Sequence, residues 1–126
     1  MQCRQSNGTR VLVVEDECMV RLDAAETLRD AGYEVVEAAD ADEALLVLDL
    51  DRDQEIELVF TDINMPGAMN GLDLVWRIRE QRPTVRLVLT SGAIRPLLTD
   101  LPDRGAFIAK PYSPESMTRA VDRMFA

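Results

Sequence analysis

The chain contains no histidine among its 126 residues. This absence excludes histidine acid–base catalysis, histidine-ligated metals and a role as a phosphohistidine carrier. Only two cysteines are present, Cys3 and Cys18, and their spacing is not that of a metal site. Because Cys3 lies in a polar terminal segment, we expect reduced thiols rather than a disulfide.

Basic residues and long apolar runs are also scarce. Lysine and arginine number 14 against 23 aspartate and glutamate residues, which gives a net charge of −9. Nucleic acids and anionic membranes are bound by clustered basic residues, so we expect direct contact with neither. No apolar stretch approaches the roughly 20 residues that cross a bilayer, and the N-terminus lacks an apolar signal core. We therefore expect a cytoplasmic protein.

What remains is the composition of one globular domain. Hydrophobic residues make up 47% and charged residues 29% of the chain, and its length suffices to bury a core without disulfides or metals. Residues 1–9 are polar and are expected to be a flexible N-terminus. We expect residues 10–126 to form a single domain.

Short apolar runs alternate with helical patterns along this domain. The runs that predict buried strands are 11–14, 34–38, 56–61, 86–89 and 106–109. The residues between them that typically end or begin helices are Gly32, Asp40, Asn70 and Ser113 followed by Pro114. Five such β-α units favour an α/β fold in which a doubly wound parallel sheet carries helices on both faces.

Polar side chains follow four of the predicted strands. They are Glu15 and Asp16, Asp62, Ser91, and Lys110. Ligands of such folds collect beyond the carboxyl ends of the strands, so we expect these residues to share one site. Asp62 precedes a turn rich in proline and glycine, and we expect its side chain to be exposed.

Three carboxylates at one edge would repel each other unless a cation neutralises them. Oxygen ligands without histidine or cysteine select Mg²⁺, for which Mn²⁺ can substitute, and Mg²⁺ leaves coordination positions for phosphate oxygens. Lys110 supplies a positive charge for the same anion, and the Ser91 hydroxyl can donate a hydrogen bond. This set is suited to phosphoryl transfer, in which a carboxylate can itself accept the phosphoryl group.

Four short motifs, each after a predicted strand, resemble the receiver domain of two-component response regulators over residues 10–125. They are Val-Val-Glu15-Asp16-Glu17, Thr-Asp62-Ile-Asn64-Met-Pro66-Gly, Thr90-Ser91-Gly92 and Lys110-Pro111. The resemblance implies a flavodoxin-like (βα)5 fold with strand order 2-1-3-4-5. It also implies a phosphorelay switch that a histidine kinase or a histidine phosphotransfer protein phosphorylates. An unidentified downstream protein would read the switch, and weak dimerisation is left open.

The resemblance also implies an acceptor and a metal site. Asp62 would be phosphorylated, and Asp16 and Asp62 would bind Mg²⁺ through their side chains. Asn64 would contribute its main-chain carbonyl, and Glu15 would act through a coordinated water. Glu15 departs from the family, where aspartate is commoner at this position.

The remaining roles fall on residues in or just after the fourth and fifth predicted strands. Lys110 would pair with the phosphoryl group and assist catalysis, and its peptide bond with Pro111 would be cis. Ser91 would be the switch hydroxyl, with Thr90 as the alternative. Phe107 would be the aromatic partner of that switch, although it lacks the hydroxyl of a tyrosine.

Two prolines interrupt the segment between the fourth and fifth strands. Pro96 can begin a helix, but Pro102 must end it soon afterwards, because proline breaks a helix interior. We therefore expect a short or irregular fourth helix. In the family this helix helps to form the surface that reports phosphorylation, so the usual route of partner recognition is in doubt.

Three other interpretations remain. A phosphatase could use Asp62 as a transient nucleophile, but such enzymes usually carry an acid two residues later, where this chain has Asn64. A binding module could retain the fold without phosphorylation, and the sequence could be excised from a hybrid kinase or a regulator with an output domain. We expect no enzyme activity beyond the chain's own phosphorylation and autodephosphorylation.

Overall fold

A computed structural model describes residues 8–65, 67, 69–92 and 101–126. Within these ranges the strands are β1 (Arg10–Val14), β2 (Glu34–Ala38), β3 (Ile56–Asp62), β4 (Arg86–Ser91) and β5 (Gly105–Ala109). The helices are α1 (Cys18–Asp30), α2 (Ala41–Leu50), α3 (Gly71–Gln81) and α4 (Pro114–Met124). All five predicted strands are present, each within two residues of its predicted bounds.

The five strands form one parallel sheet in the order β2-β1-β3-β4-β5. Helices α1 and α4 pack on one face, where the buried core includes Val13, Leu28, Phe60, Val88 and Met117. Helices α2 and α3 pack on the other face, around Leu12, Leu48, Val59, Ile78 and Leu89. This topology confirms the predicted flavodoxin-like α/β fold. Because the strands are parallel, all their carboxyl ends lie at one edge.

The predicted helix ends are confirmed in local detail. Gly32 follows α1 with a φ of 103°, a conformation that glycine adopts without steric cost. The side chains of Asp40, Asn70 and Ser113 each accept a hydrogen bond from the backbone of the first turn of the helix that follows. At α2 the reciprocal bond differs from a standard capping box, because the Glu43 carboxylate accepts from the amide of Ala39.

Two predictions concern segments that the structure covers only in part. The short or irregular fourth helix was expected after β4, where residues 93–100 lie outside the described ranges. Residues 1–7 of the predicted flexible N-terminus also lie outside them. Among the helices that are described, none has the length and apolar character needed to cross a bilayer.

Candidate functional site

The polar residues predicted to share a site do meet at the carboxyl edge of the sheet. Asp62 is the last residue of β3, Ser91 is the last residue of β4, and Lys110 follows β5. Backbone hydrogen bonds fix these strand ends, since the Lys110 amide donates to the Ser91 carbonyl at 3.1 Å. Glu15, which follows β1, is fixed in the same way, since its amide donates to the carbonyl of Ala38 at the end of β2, at 3.0 Å.

Lys110 joins two carboxylates at the centre of this edge. Its Nζ lies 3.1 Å from Asp62 Oδ2 and 3.2 Å from Glu15 Oε1. Burial lowers the pKa of Lys110, but its hydrogen bond and charge interaction with Asp62, followed by those with Glu15, outweigh burial and raise that pKa. The ammonium group is therefore firmly charged and compensates both acids.

Asp62 is more enclosed than the sequence indicated. We expected an exposed acid, and this was wrong: the side chain is only 7% exposed. Lys110 pairs with one of its oxygens, and the backbone amide of Asn64 donates to the other at 3.3 Å. A buried carboxylate needs such partners, because an unpaired charge is costly to bury.

Glu15 is held as closely as Asp62. Its Oε2 accepts from the Glu17 amide at 3.1 Å, and its side chain is 6% exposed. Burial is the main reason why the pKa of Glu15 is raised, and the nearby charge of Asp62 adds to it. The Glu17 amide and Lys110 act in the opposite direction without cancelling the shift.

Glu15, Asp16 and Asp62 form an acidic cluster. One carboxylate oxygen from each lies within 4.8 Å of those of the other two. Glu15 and Asp62 are buried, whereas Asp16 is exposed. Three converging carboxylate oxygens, without nitrogen or sulfur, are ligands that suit a hard divalent cation such as Mg²⁺. The donor set therefore fits the predicted metal.

The two adjacent hydroxyls of β4 have different surroundings. Ser91 Oγ accepts from Asn64 Nδ2 at 3.3 Å, which links Ser91 through Asn64 to the Asp62 carboxylate. Thr90 lies opposite Asp62 in the β3–β4 register, and its buried Oγ1 has no hydrogen-bond partner among the described residues. The contacts favour Ser91 as the switch hydroxyl, and that assignment stays a prediction.

Phe107 and the Lys110–Pro111 peptide complete the predicted set. Phe107 is partly buried on β5, pairs with Leu89 in register, and packs against the α2–α3 core. It shares this face of the sheet with Ser91, which lies two residues beyond Leu89 on β4. The peptide bond between Lys110 and Pro111 is cis, as the resemblance implied.

Sequence reasoning missed two residues that shape the site. Gly71, the first residue of α3, lies so close to β3 that an added Cβ would be 2.1 Å from the Asp62 carbonyl oxygen. Arg21 of α1 donates from Nη1 to the Glu15 carbonyl oxygen at 3.0 Å. Neither has a sequence signal of its own, since glycine at a helix start and arginine in a first helical turn are ordinary.

An open groove of about 830 Å³ gives access to this edge of the protein. It runs between α1 and the connection from β5 to α4, with Lys110, Pro111 and Tyr112 on one side. The α1 side is acidic and contributes Glu17, Asp23, Glu26 and Asp30.

Comparison with known proteins gives a consistent family match. The response regulator receiver domain family matches residues 11–122. The transcriptional regulatory protein PdtaR of Mycobacterium tuberculosis is 37% identical over 116 residues, covering 90% of this chain and 55% of the relative. The chemotaxis protein CheY-3 of Vibrio cholerae is 28% identical over 130 residues, covering 99% of this chain and 98% of the relative.

Solved structures agree with these relatives. The receiver domain of the hybrid histidine kinase CckA superposes with a TM-score of 0.80 at 33% identity, covering 93% of this chain and 99% of that one. The chain corresponds to 55% of the length of PdtaR, which is about half of that protein. What the rest of such a relative does is therefore no property of these 126 residues.

Proposed function

The chain belongs to the response regulator receiver domain family, and from this premise we propose that it is a phosphoacceptor switch whose acceptor is Asp62. Receiver domains are signalling switches of two-component systems. The observation that supports Asp62 is its contact with Lys110 within the acidic cluster at the carboxyl edge of the sheet. Asp62 is the one member of this cluster that ends a central strand, β3.

The proposed reaction is transfer of a phosphoryl group to the Asp62 carboxylate. A carboxylate oxygen of Asp62 forms a bond to phosphorus while the bond from phosphorus to the donor breaks, and the donor atom keeps that electron pair. The product is an acyl phosphate on Asp62. Lys110 already lies 3.1 Å from Asp62 Oδ2 and would stabilise charge on the transferred group. The Ser91 hydroxyl, with Thr90 as the alternative, would donate to a phosphoryl oxygen.

The proposed cofactor is Mg²⁺, with Mn²⁺ as a substitute. Asp16 and Asp62 would hold it through their carboxylates and Asn64 through its main-chain carbonyl, while Glu15 would act through a coordinated water. When bound, such a cation neutralises negative charge on phosphoryl oxygens. The buried acids also gain a second compensating charge beside Lys110, which reduces their mutual repulsion.

The proposed donor is a histidine kinase or a histidine phosphotransfer protein in the cytoplasm. The relatives support this context, because they include a hybrid histidine kinase receiver domain and a chemotaxis protein. The downstream partner is a further protein, whose contact surface would change when Asp62 is phosphorylated. The only catalysis proposed is that of the chain's own phosphorylation and dephosphorylation. Phe107 is proposed to change its side-chain conformation together with the switch hydroxyl.

The test is incubation with Mg²⁺ and acetyl phosphate, followed by intact mass measurement. We expect one phosphoryl increment that requires Mg²⁺ and is removed by hydroxylamine, which cleaves acyl phosphates. The variant Asp62→Asn should show none, whereas Asp49→Asn, which removes an exposed acid of α2, should behave as the wild type. A wild-type chain without the increment, or an increment that persists in Asp62→Asn, would contradict the proposal.

A further inference from the structure

We propose that Arg21 is a positioning residue for the acidic cluster, acting through the main chain of Glu15. The inference rests on the proposed function, since it assigns a support to the residues that would hold the cation. Arg21 lies in the first turns of α1, six residues after Glu15, and its side chain is 19% exposed. In the described structure, Arg21 forms no hydrogen bond with a carboxylate of the acidic cluster, so its effect on the cation would be indirect.

Every polar group of Glu15 has a defined partner. The amide donates to the Ala38 carbonyl at 3.0 Å, and the two carboxylate oxygens accept from Lys110 and from the Glu17 amide. The remaining group is the carbonyl oxygen, which accepts from Arg21 Nη1 at 3.0 Å. Arg21 thus supplies the bond that fixes the peptide plane between Glu15 and Asp16.

The guanidinium of Arg21 is itself held in place by β2. Its Nε lies 3.2 Å from Glu37 Oε1, and the Glu37 side chain is 23% exposed. Arg29, two turns further along α1, pairs with the other oxygen of Glu37 at 3.3 Å. A planar guanidinium presents donors in a fixed fork, so pairing with Glu37 also sets the direction of the donor that reaches Glu15.

The consequence concerns two of the three carboxylates of the cluster. Glu15 and Asp16 lie in the same connection between β1 and α1, so a rotation of the peptide that joins them displaces the Asp16 side chain. Loss of the Arg21 hydrogen bond would leave the Glu15 carbonyl without that partner and allow such a rotation. Groups that orient metal ligands typically contribute 10- to 100-fold to metal affinity, as known from residues that hydrogen-bond to ligands.

The test compares Arg21→Met with Arg29→Met. Both variants remove a guanidinium of α1 that pairs with Glu37 and retain an unbranched apolar side chain, but only Arg21 touches Glu15. Mn²⁺ binding is measured by electron paramagnetic resonance without any phosphodonor. We expect the Mn²⁺ dissociation constant to rise about 10-fold in Arg21→Met and less than about twofold in Arg29→Met, as for a surface ion pair.

A second readout separates positioning from chemistry. Phosphorylation of Arg21→Met by acetyl phosphate should need more Mg²⁺ for its half-maximal rate, while the rate at saturating Mg²⁺ returns to within about twofold of the wild type, as expected when a residue affects binding alone. If Arg21→Met does not fold, Arg21→Lys is compared with Arg29→Lys. Arg21 uses two separate nitrogens, Nε toward Glu37 and Nη1 toward Glu15, and the single nitrogen of lysine does not reproduce this fork. Weaker Mn²⁺ binding is therefore expected for Arg21→Lys and not for Arg29→Lys.

Equal weakening by the Arg21 and Arg29 variants would overturn the inference, because it would trace the effect to net charge or to Glu37. An unchanged dissociation constant in a folded Arg21 variant would also overturn it. Both results are distinct from failure of the proposed function, in which the wild-type chain itself takes up no phosphoryl group from acetyl phosphate.

Discussion

The substitution Gly71→Ala adds one methyl group at the contact between α3 and β3. An ideal Cβ at Gly71 would lie 2.1 Å from the Asp62 carbonyl oxygen and 2.7 Å from Ile63 Cα. Both neighbours are backbone atoms, so no side-chain rotation relieves the clash. The Gly71 amide also donates to the Ile63 carbonyl at 2.8 Å, which holds the helix start against the strand end.

Two opposing terms set the size of the effect. Alanine is favoured over glycine within a helix by up to about 1 kcal/mol. Overpacking of a well-packed region costs about 1–3 kcal/mol, and the upper end applies when the contact is with backbone. The steric cost therefore exceeds the gain in helix propensity, and we expect Gly71→Ala to lower the free energy of unfolding by about 2 kcal/mol. For a domain of this size the melting temperature should fall by roughly 6–10 °C.

The assay is urea unfolding of the wild type, Gly71→Ala and the control Gly92→Ala. Among the described residues, an added Cβ at Gly92 would meet only Lys110 Cβ, at 3.6 Å, which is an ordinary van der Waals contact. We expect the control to stay within about 0.5 kcal/mol of the wild type, as is usual away from strained sites. Because the clash involves the Asp62 carbonyl, Gly71→Ala should also slow phosphorylation by acetyl phosphate. Wild-type stability together with a wild-type phosphorylation rate in Gly71→Ala would refute the argument.

Two further predictions concern the two hydroxyls of β4 and the buried ion pair in which Arg82 Nη1 lies 2.8 Å from Asp51 Oδ2. Burial raises the pKa of Asp51, but hydrogen bonds from the Ile56 amide, from Arg82 and from the Glu55 amide outweigh it and lower that pKa. The stabilisation by the Asp51 carboxylate should therefore be complete above about pH 4 and decline at lower pH. In urea titrations Asp51→Asn should cost about 3 kcal/mol at pH 7, and a deficit that is unchanged at pH 3 would contradict this. Thr90→Val should retain wild-type stability or gain up to about 1 kcal/mol, because Thr90 Oγ1 has no partner in the described structure. It should also be phosphorylated normally, whereas Ser91→Ala should be impaired, and the reverse pattern would make Thr90 the switch residue.

Much of the fold follows from the sequence because strands and helices have different periods. Buried parallel strands appear as short continuous apolar runs, and each run was found as a strand. The residues that begin helices, such as Asn70 and Ser113, carry side chains that bond to the first turn, so their chemistry identifies them. Parallel strands also place the residues that follow them at one edge, which is why Asp62 and Lys110 could be expected together.

The contacts inside the site could not be predicted in the same way. The exposure of Asp62 depends on how Lys110 and the backbone of Asn64 lie over it, and this is a tertiary property. The roles of Gly71 and Arg21 depend on how closely each helix, α3 or α1, approaches the strand end that precedes it, and this distance has no sequence signal. Thr90 and Ser91 both offer a hydroxyl but project from opposite faces of β4, so distinguishing them needed the register of the sheet.

The start of α1 shows how the site conflicts with local stability. Its N-cap is Glu17, and no side chain caps the helix there, whereas the other three helices of the described chain begin with a bonded cap. The residues just before α1, Glu15 and Asp16, are of types that could act as acceptors for a helix start. Instead their carboxylates meet in the acidic cluster, and within the described chain the one bond of this kind runs from the Glu17 amide to the Glu15 carboxylate. A missing cap typically costs about 1 kcal/mol. Proteins depart from local sequence rules mainly at functional sites, so this uncapped helix is a further reason to place the function of the chain at this edge.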